Sequence, residues 1–77
     1  MPQPGDYQVW SDLIDPYNSP QEWAESILDG SLDWDDAVQD IKVYCREAAE
    51  GGMSDGVSAE DLAETMIALL EYELRGK

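Results

Sequence analysis

The side chains best suited to chemistry lie in one acidic stretch, residues 29–40, which reads Asp-Gly-Ser-Leu-Asp-Trp-Asp-Asp-Ala-Val-Gln-Asp. It contains five of the eighteen acidic residues of a 77-residue chain. Carboxylates at this density could bind a cation, exchange protons with a substrate, or present negative charge to a basic partner. Each of these functions requires a particular spacing of the carboxylates and a particular fold to hold them.

A calcium loop is the first possibility, because oxygen-bearing side chains alternate from Asp29 to Asp35 and Asp40 stands at the twelfth position. An EF-hand needs glycine at its sixth position for a sharp turn and a bidentate glutamate at its twelfth. This chain has Trp34 and Asp40 there, which argues against calcium. Zinc and other transition metals lack a ligand set, because the chain has no histidine and one cysteine.

Acid–base catalysis by paired carboxylates is the second possibility. A glycosidase holds two carboxyl groups at a fixed separation across a sugar-binding cleft, and a chain this short rarely forms one. A thiol nucleophile needs a neighbouring base, and no histidine accompanies Cys45. We therefore expect no enzymatic activity, no metal and no cofactor.

The charge balance is the strongest signal, because eighteen acidic residues against four basic ones give a formal net charge of −14. Such a chain repels itself at low salt, so the charge needs a reason other than stability. Direct binding to nucleic acid or to an anionic membrane needs a basic surface, which this composition does not offer. A basic protein partner, nucleic-acid mimicry, cation binding and adaptation to high salt stay open.

These carboxylates must be positioned by helices, because apolar residues recur at three- and four-residue spacing along the chain. Short connections predict that sequential helices pack roughly antiparallel. The predicted fold is all-α, a small bundle of three principal helices at about residues 20–29, 34–50 and 59–75, with a short N-terminal helix at about 7–14.

Capping residues support these boundaries, with Ser19, Asp33 and Ser58 expected to cap the three principal helices. Two prolines and a glycine suggest that residues 1–5 are a disordered lead-in. We expect residues 6–77 to form a single helical domain.

The last helix has a broad apolar face, which predicts either a central position or a weak homodimer through residues 62–74 of an otherwise monomeric protein. Cys45 falls on the apolar face of its helix, so we expect a buried free thiol. The N-terminus lacks the features of a signal peptide and no apolar run reaches membrane-spanning length, which predicts a cytoplasmic protein.

Ser31 suggests a different function. The run Gly30-Ser-Leu-Asp at the start of a helix resembles the acyl carrier protein motif, in which the serine of Asp-Ser-Leu carries phosphopantetheine. Length, helical content and acidity are also similar to that family, and the resemblance implies a carrier modified on Ser31. Gly30 stands where that family has Asp, and no long first helix precedes the motif. A turn and helix cap explains the same residues.

Acidic residues on the outer sides of the two middle helices are the remaining candidates for a site. Carboxylates one turn apart lie about 5–6 Å from each other, a spacing similar to that of phosphates along a nucleic acid strand. An exposed aromatic, Tyr17 or Trp10, could serve as an anchor. The residues expected to bind a partner are Glu22, Glu25, Asp29, Asp33, Asp35, Asp36, Asp40 and Glu47.

By size, charge and helical content the chain resembles small acidic phage-encoded inhibitors that mimic nucleic acid, the anti-CRISPR and anti-restriction class. The resemblance implies an inhibitor or adaptor that occupies a basic, nucleic-acid-binding site on a partner protein and helps to evade host defence. Such a protein would work in the host cytoplasm without touching nucleic acid or membrane itself. A plain helical interaction module is a further alternative.

Overall fold

The computed structural model describes residues 3–76, and within that range the chain is helical with no strand. The predicted all-α fold is confirmed, and the three principal helices have the bounds expected from the sequence. No helix in this range combines the length and the apolarity needed to cross a membrane. The helices are α1 (Pro4–Val9), α2 (Pro20–Asp29), α3 (Trp34–Glu50) and α4 (Ala59–Arg75), and a π-helical segment (Trp10–Ile14) continues α1.

The centre of the bundle is α4, which packs against α3, α2 and α1. The expectation that sequential helices pack on one another is wrong for α2, which lies mainly against α4 and makes few contacts with α1 or α3. The reason is the breadth of the apolar face of α4, which is wider than one neighbour can cover. Its buried residues are Leu62, Ala63, Met66, Leu69 and Leu70.

Most of this face is therefore used inside the chain. The homodimer expected through residues 62–74 stays a prediction, but the apolar surface that suggested it is largely buried. Only the half-buried Ile67 and Leu74 and the exposed Tyr72 remain accessible among its large apolar side chains.

The chain becomes helical earlier than the sequence predicted. Pro4 takes the first helical position of α1, where its fixed φ fits and its missing N–H is not needed. The Asp6 carboxylate accepts a hydrogen bond from the backbone N–H of Gln3 at 3.0 Å. The part of the expected disordered lead-in that follows Gln3 is thus helical, and residues 1–2 lie outside the described part.

The first helix widens to π geometry at Trp10–Ile14, where the Asp15 backbone N–H donates to the Trp10 carbonyl at 3.0 Å. Trp10 and Ile14 both enter the core. The suggestion that Trp10 is an exposed anchor is wrong, because its ring is 0 % exposed and fills the core. Its indole N–H donates to the backbone carbonyl of Asn18 at 2.9 Å.

A corner built from two tryptophans and one aspartate joins this segment to α2. The rings of Trp10 and Trp23 meet edge to face, with centroids 5.0 Å apart. The half-buried Asp15 carboxylate accepts hydrogen bonds from the Trp23 indole N–H at 3.0 Å and from the backbone N–H groups of Tyr17 and Asn18. Burial opposes ionisation, but these hydrogen bonds outweigh it and lower the pKa of Asp15.

A second polar junction ties α1 and α2 to α4. The Glu73 carboxylate accepts hydrogen bonds from the Tyr7 hydroxyl at 2.6 Å and from the Gln21 side-chain amide at 3.3 Å. The hydrogen bond to Glu73, aided by burial and by the negative charge, raises the pKa of Tyr7 to about 12.

All three predicted N-cap positions are confirmed, and two of the three side chains make the capping hydrogen bond. The Ser19 hydroxyl accepts from the Glu22 backbone N–H at 3.3 Å, and the Ser58 hydroxyl accepts from the Asp61 backbone N–H at 3.2 Å. Asp33 holds the N-cap position of α3 with extended backbone, but its side chain makes no capping hydrogen bond. It is therefore free to face solvent.

Cys45 is a free thiol at the centre of the core, as expected. Burial raises its pKa to about 11, which keeps the sulfur protonated and poorly nucleophilic at neutral pH.

We expect D15A to lower the free energy of unfolding by about 1–3 kcal/mol, because the Trp23 indole and two backbone N–H groups lose their acceptor. Urea unfolding followed by tryptophan fluorescence measures this. D12A is the matched control, since it removes the same charge from an exposed carboxylate that binds only the exposed side chain of Gln8 among the described residues. Equal effects of D15A and D12A would contradict the structural role of Asp15.

The lowered pKa of Asp15 also predicts a pH dependence. The ionised carboxylate contributes stability that is complete above its unfolded-state pKa, near 3.8, and that is lost as pH falls toward the folded-state value. The stability difference between wild type and D15N should be constant from neutral pH to about pH 5 and shrink below that. A difference that persists unchanged into strong acid would show that charge on Asp15 is irrelevant.

Candidate acidic binding surface

All eight carboxylates predicted to bind a partner are exposed. Three of them, Glu22, Glu25 and Asp29, follow one another at three- and four-residue spacing on the side of α2 opposite the buried Pro20 and Ala24. We call these three residues the α2 acidic face. The helix therefore holds them in one row directed to solvent.

A second row lies on α3. Asp33, Asp36, Asp40 and Glu47 are separated by three, four and seven residues, which places them along one side of the helix. We call these four residues the α3 acidic flank. The two rows approach each other at the connection between the helices, where Asp29 ends α2 and Asp33 precedes α3. Beyond it they are separate surfaces, since α2 and α3 make few contacts.

Asp35 does not belong to the second row. It is turned by about 100° from Asp36, because a helix advances 3.6 residues per turn. It lies instead on the side of α3 that carries Lys42, seven residues later, and Arg46. The structure thus divides the predicted set into two rows of three and four carboxylates and one residue outside them.

Asp29 is held at the junction of the two rows. Its carboxylate accepts a hydrogen bond from the backbone N–H of Ser31 at 2.8 Å. Hydrogen bonding by Ser31 lowers the pKa of Asp29 from its ordinary value near 3.8.

Tyr44 is a functional candidate that sequence reasoning missed. Its spacing from Ile41 and Ala48 predicts a place in the apolar stripe of α3, but Ile41 is buried whereas Tyr44 is 40 % exposed. It follows Asp40 by four residues and precedes Glu47 by three, so it stands within the α3 acidic flank. This spacing from the two carboxylates is the feature of the sequence that could have identified Tyr44 as a candidate. A tyrosine there offers apolar area and a hydroxyl.

Two other large side chains are exposed near the start and end of α2. Tyr17 is 89 % exposed in the turn before the helix, so its ring is accessible to a partner protein. The spacing of Trp23, Ile27 and Leu28 predicts an apolar stripe on α2, but Leu28 is 59 % exposed, so its place in that stripe is wrong. The buried positions are taken by Pro20 and Ala24, whose small side chains allow α2 to approach α4 closely.

Basic residues are absent from both rows. The described ones are Lys42 and Arg46, on the other side of α3, and Arg75 on α4. Between residues 3 and 76 the chain forms one ion pair, an exposed contact of 3.7 Å from Arg75 to Glu71. The α3 acidic flank therefore keeps its negative charge.

The calcium-loop outline is broken by the fold. Helix α3 begins at Trp34, inside the would-be loop, so the later carboxylates project outward from a helix. In the described range no three His, Cys, Asp or Glu side chains are grouped so that they could hold a metal ion.

Ser31 is exposed in the turn between α2 and α3, so its modification stays a testable alternative. After co-expression with a phosphopantetheinyl transferase we expect no mass adduct, because Gly30 replaces the aspartate of the carrier motif. Intact mass spectrometry of wild type and S31A measures this. An adduct present in wild type and absent from S31A would favour a carrier function.

Comparisons of the chain with protein-family models, with curated proteins and with solved structures found no match. Its function must therefore be inferred from its own surface.

Proposed function

We propose that this protein is an acidic inhibitor or adaptor that binds a basic, nucleic-acid-binding site on a partner protein. It blocks that site by electrostatic mimicry, in the manner of anti-CRISPR or anti-restriction proteins. The observation that carries the proposal is the α3 acidic flank, in which four exposed carboxylates follow one side of a helix without an interleaved basic residue.

The spacing of the flank supports mimicry of a phosphate row. Asp36 and Asp40 are one turn apart, about 5–6 Å. The flank from Asp33 to Glu47 covers fourteen residues, or about 20 Å along the helix axis. Lysine and arginine side chains that hold phosphates also form charge-assisted hydrogen bonds with carboxylates. A rigid helix presents these acceptors with less loss of conformational entropy than a flexible acidic tail would.

Charge alone would mainly speed association, because rim pairs contribute more to encounter than to affinity. Tyr44 supplies what the carboxylates lack, since aromatic side chains near the centre of an interface often carry much of the binding energy. Its place between Asp40 and Glu47 puts an apolar contact inside the acidic row.

The partner can be sought by affinity capture from the native host at low salt, followed by mass spectrometry. We expect the retained proteins to bind nucleic acid and to be released by excess DNA or RNA. Retained proteins that neither nucleic acid displaces would contradict mimicry. Stability that keeps rising at molar salt, beyond ordinary screening, would point instead to adaptation to high salt.

The captured partner then allows a test of the flank. D36K should weaken binding by about tenfold or more, because it sets a like charge against the partner's basic side chains. D35K is a close control, since it makes the same charge change at the adjacent exposed position in the first turn of α3 but lies outside the flank. Equal losses, measured by titration calorimetry, would show that binding follows net charge and not the flank.

A further inference from the structure

A groove between α3 and α4 contains two of the four basic residues of the chain. It has a volume of about 540 Å³. The exposed Lys42 and Arg46 form its α3 lip, on the side of the helix away from the α3 acidic flank. Helix α4 supplies the apolar floor, which is formed by Ala59, Ala63 and Ile67. It also supplies the second lip, which is formed by the exposed Glu60 and Glu64.

The two cations of this groove are not neutralised within the described chain. Neither Lys42 nor Arg46 has a carboxylate of residues 3–76 within ion-pair distance, although the chain has eighteen acidic residues. The Glu60 and Glu64 carboxylates across the groove are likewise not ion-paired within that range. Both lips therefore carry charge that a second molecule could pair.

The groove also differs from the rest of the surface in its charge balance. A second copy of this chain, itself at −14, is repelled by the acidic rows on α2 and α3. The groove sets two cations against two carboxylates, with an apolar floor between them. The members of each pair are four residues apart, so both lips present charges one helical turn apart.

We propose that this groove is the contact surface of a symmetric homodimer. In a two-fold dimer the same patch of both copies meets itself, so the patch must be self-complementary. A two-fold axis along the groove sets the Lys42–Arg46 lip of each copy against the Glu60–Glu64 lip of the other, with the two apolar floors facing each other across the enclosed space. Seven residues line the groove, far fewer than a standard interface uses on each side, so the dimer is weak. It does not depend on the proposed partner, and it leaves both α3 acidic flanks exposed.

Sedimentation velocity tests the dimer at about 0.15 M salt, where the screening length is near 8 Å and long-range repulsion between copies is reduced. Over roughly a hundredfold range of concentration, wild type should move from a mass of 8.6 kDa toward twice that value. K42E/R46E and E60K/E64K should each stay monomeric, because both lips then carry one sign. An equimolar mixture of the two variants should restore the dimer, since an acidic groove meets a basic one.

Recovery of the dimer on mixing shows that both variants are folded. It therefore excludes misfolding as the reason that each variant alone stays monomeric. The control is D36K/D40K, which makes the same charge change as E60K/E64K at the same one-turn spacing, but on the α3 acidic flank. This control should dimerise as wild type does and should form no heterodimer with K42E/R46E. A wild type that stays monomeric over the whole range, or a control that pairs with K42E/R46E, would overturn the proposal.

Discussion

The burial of the apolar face of α4 is the interaction on which the rest of the bundle depends. Met66, Leu69 and Leu70 are at most 1 % exposed, and their helix contacts α1, α2 and α3. Each large side chain buried in this way contributes about 1.5–3 kcal/mol. A chain with a net charge of −14 needs this contribution, because self-repulsion opposes compaction. The Asp15 junction then links the π-helical segment to α2, and the Glu73 junction ties α1 and α2 to α4.

Helix α3 separates charge by periodicity alone. Asp36, Asp40 and Glu47 share one side, whereas Lys42 and Arg46 share another, because the two sets are out of phase on a helix of 3.6 residues per turn. The acidic side is open to solvent, and the basic side borders α4. The helix thus offers two surfaces of different chemistry that two molecules could occupy at once.

The residues of the candidate site could be predicted from the sequence, but the separation of the α2 acidic face from the α3 acidic flank could not. All eight carboxylates are exposed, as their charge requires, since an ionised carboxylate is costly to bury. The sequence predicts them as one set of partner-binding residues. The fold separates the α2 row from the α3 row, because α2 packs mainly on α4 and makes few contacts with α3. The place of Asp35 beside the cations follows from the 3.6-residue period of α3. Tyr44 lies in the α3 acidic flank and not in the apolar stripe that its spacing predicts, because the packing of α3 against other helices leaves it exposed.

The sequence by itself determined the three principal helices and their ends. Apolar periodicity, the Ser19 and Ser58 caps and the glycine at position 30 act within a few residues, so they can be read without knowledge of the fold. Only the tertiary structure decided that α4 is central, that Trp10 is buried against Trp23, and that Leu28 is exposed. It also brought Lys42 and Arg46 to the same groove as Glu60 and Glu64. These arrangements depend on which apolar faces meet, and that choice is made by packing between residues far apart in the chain.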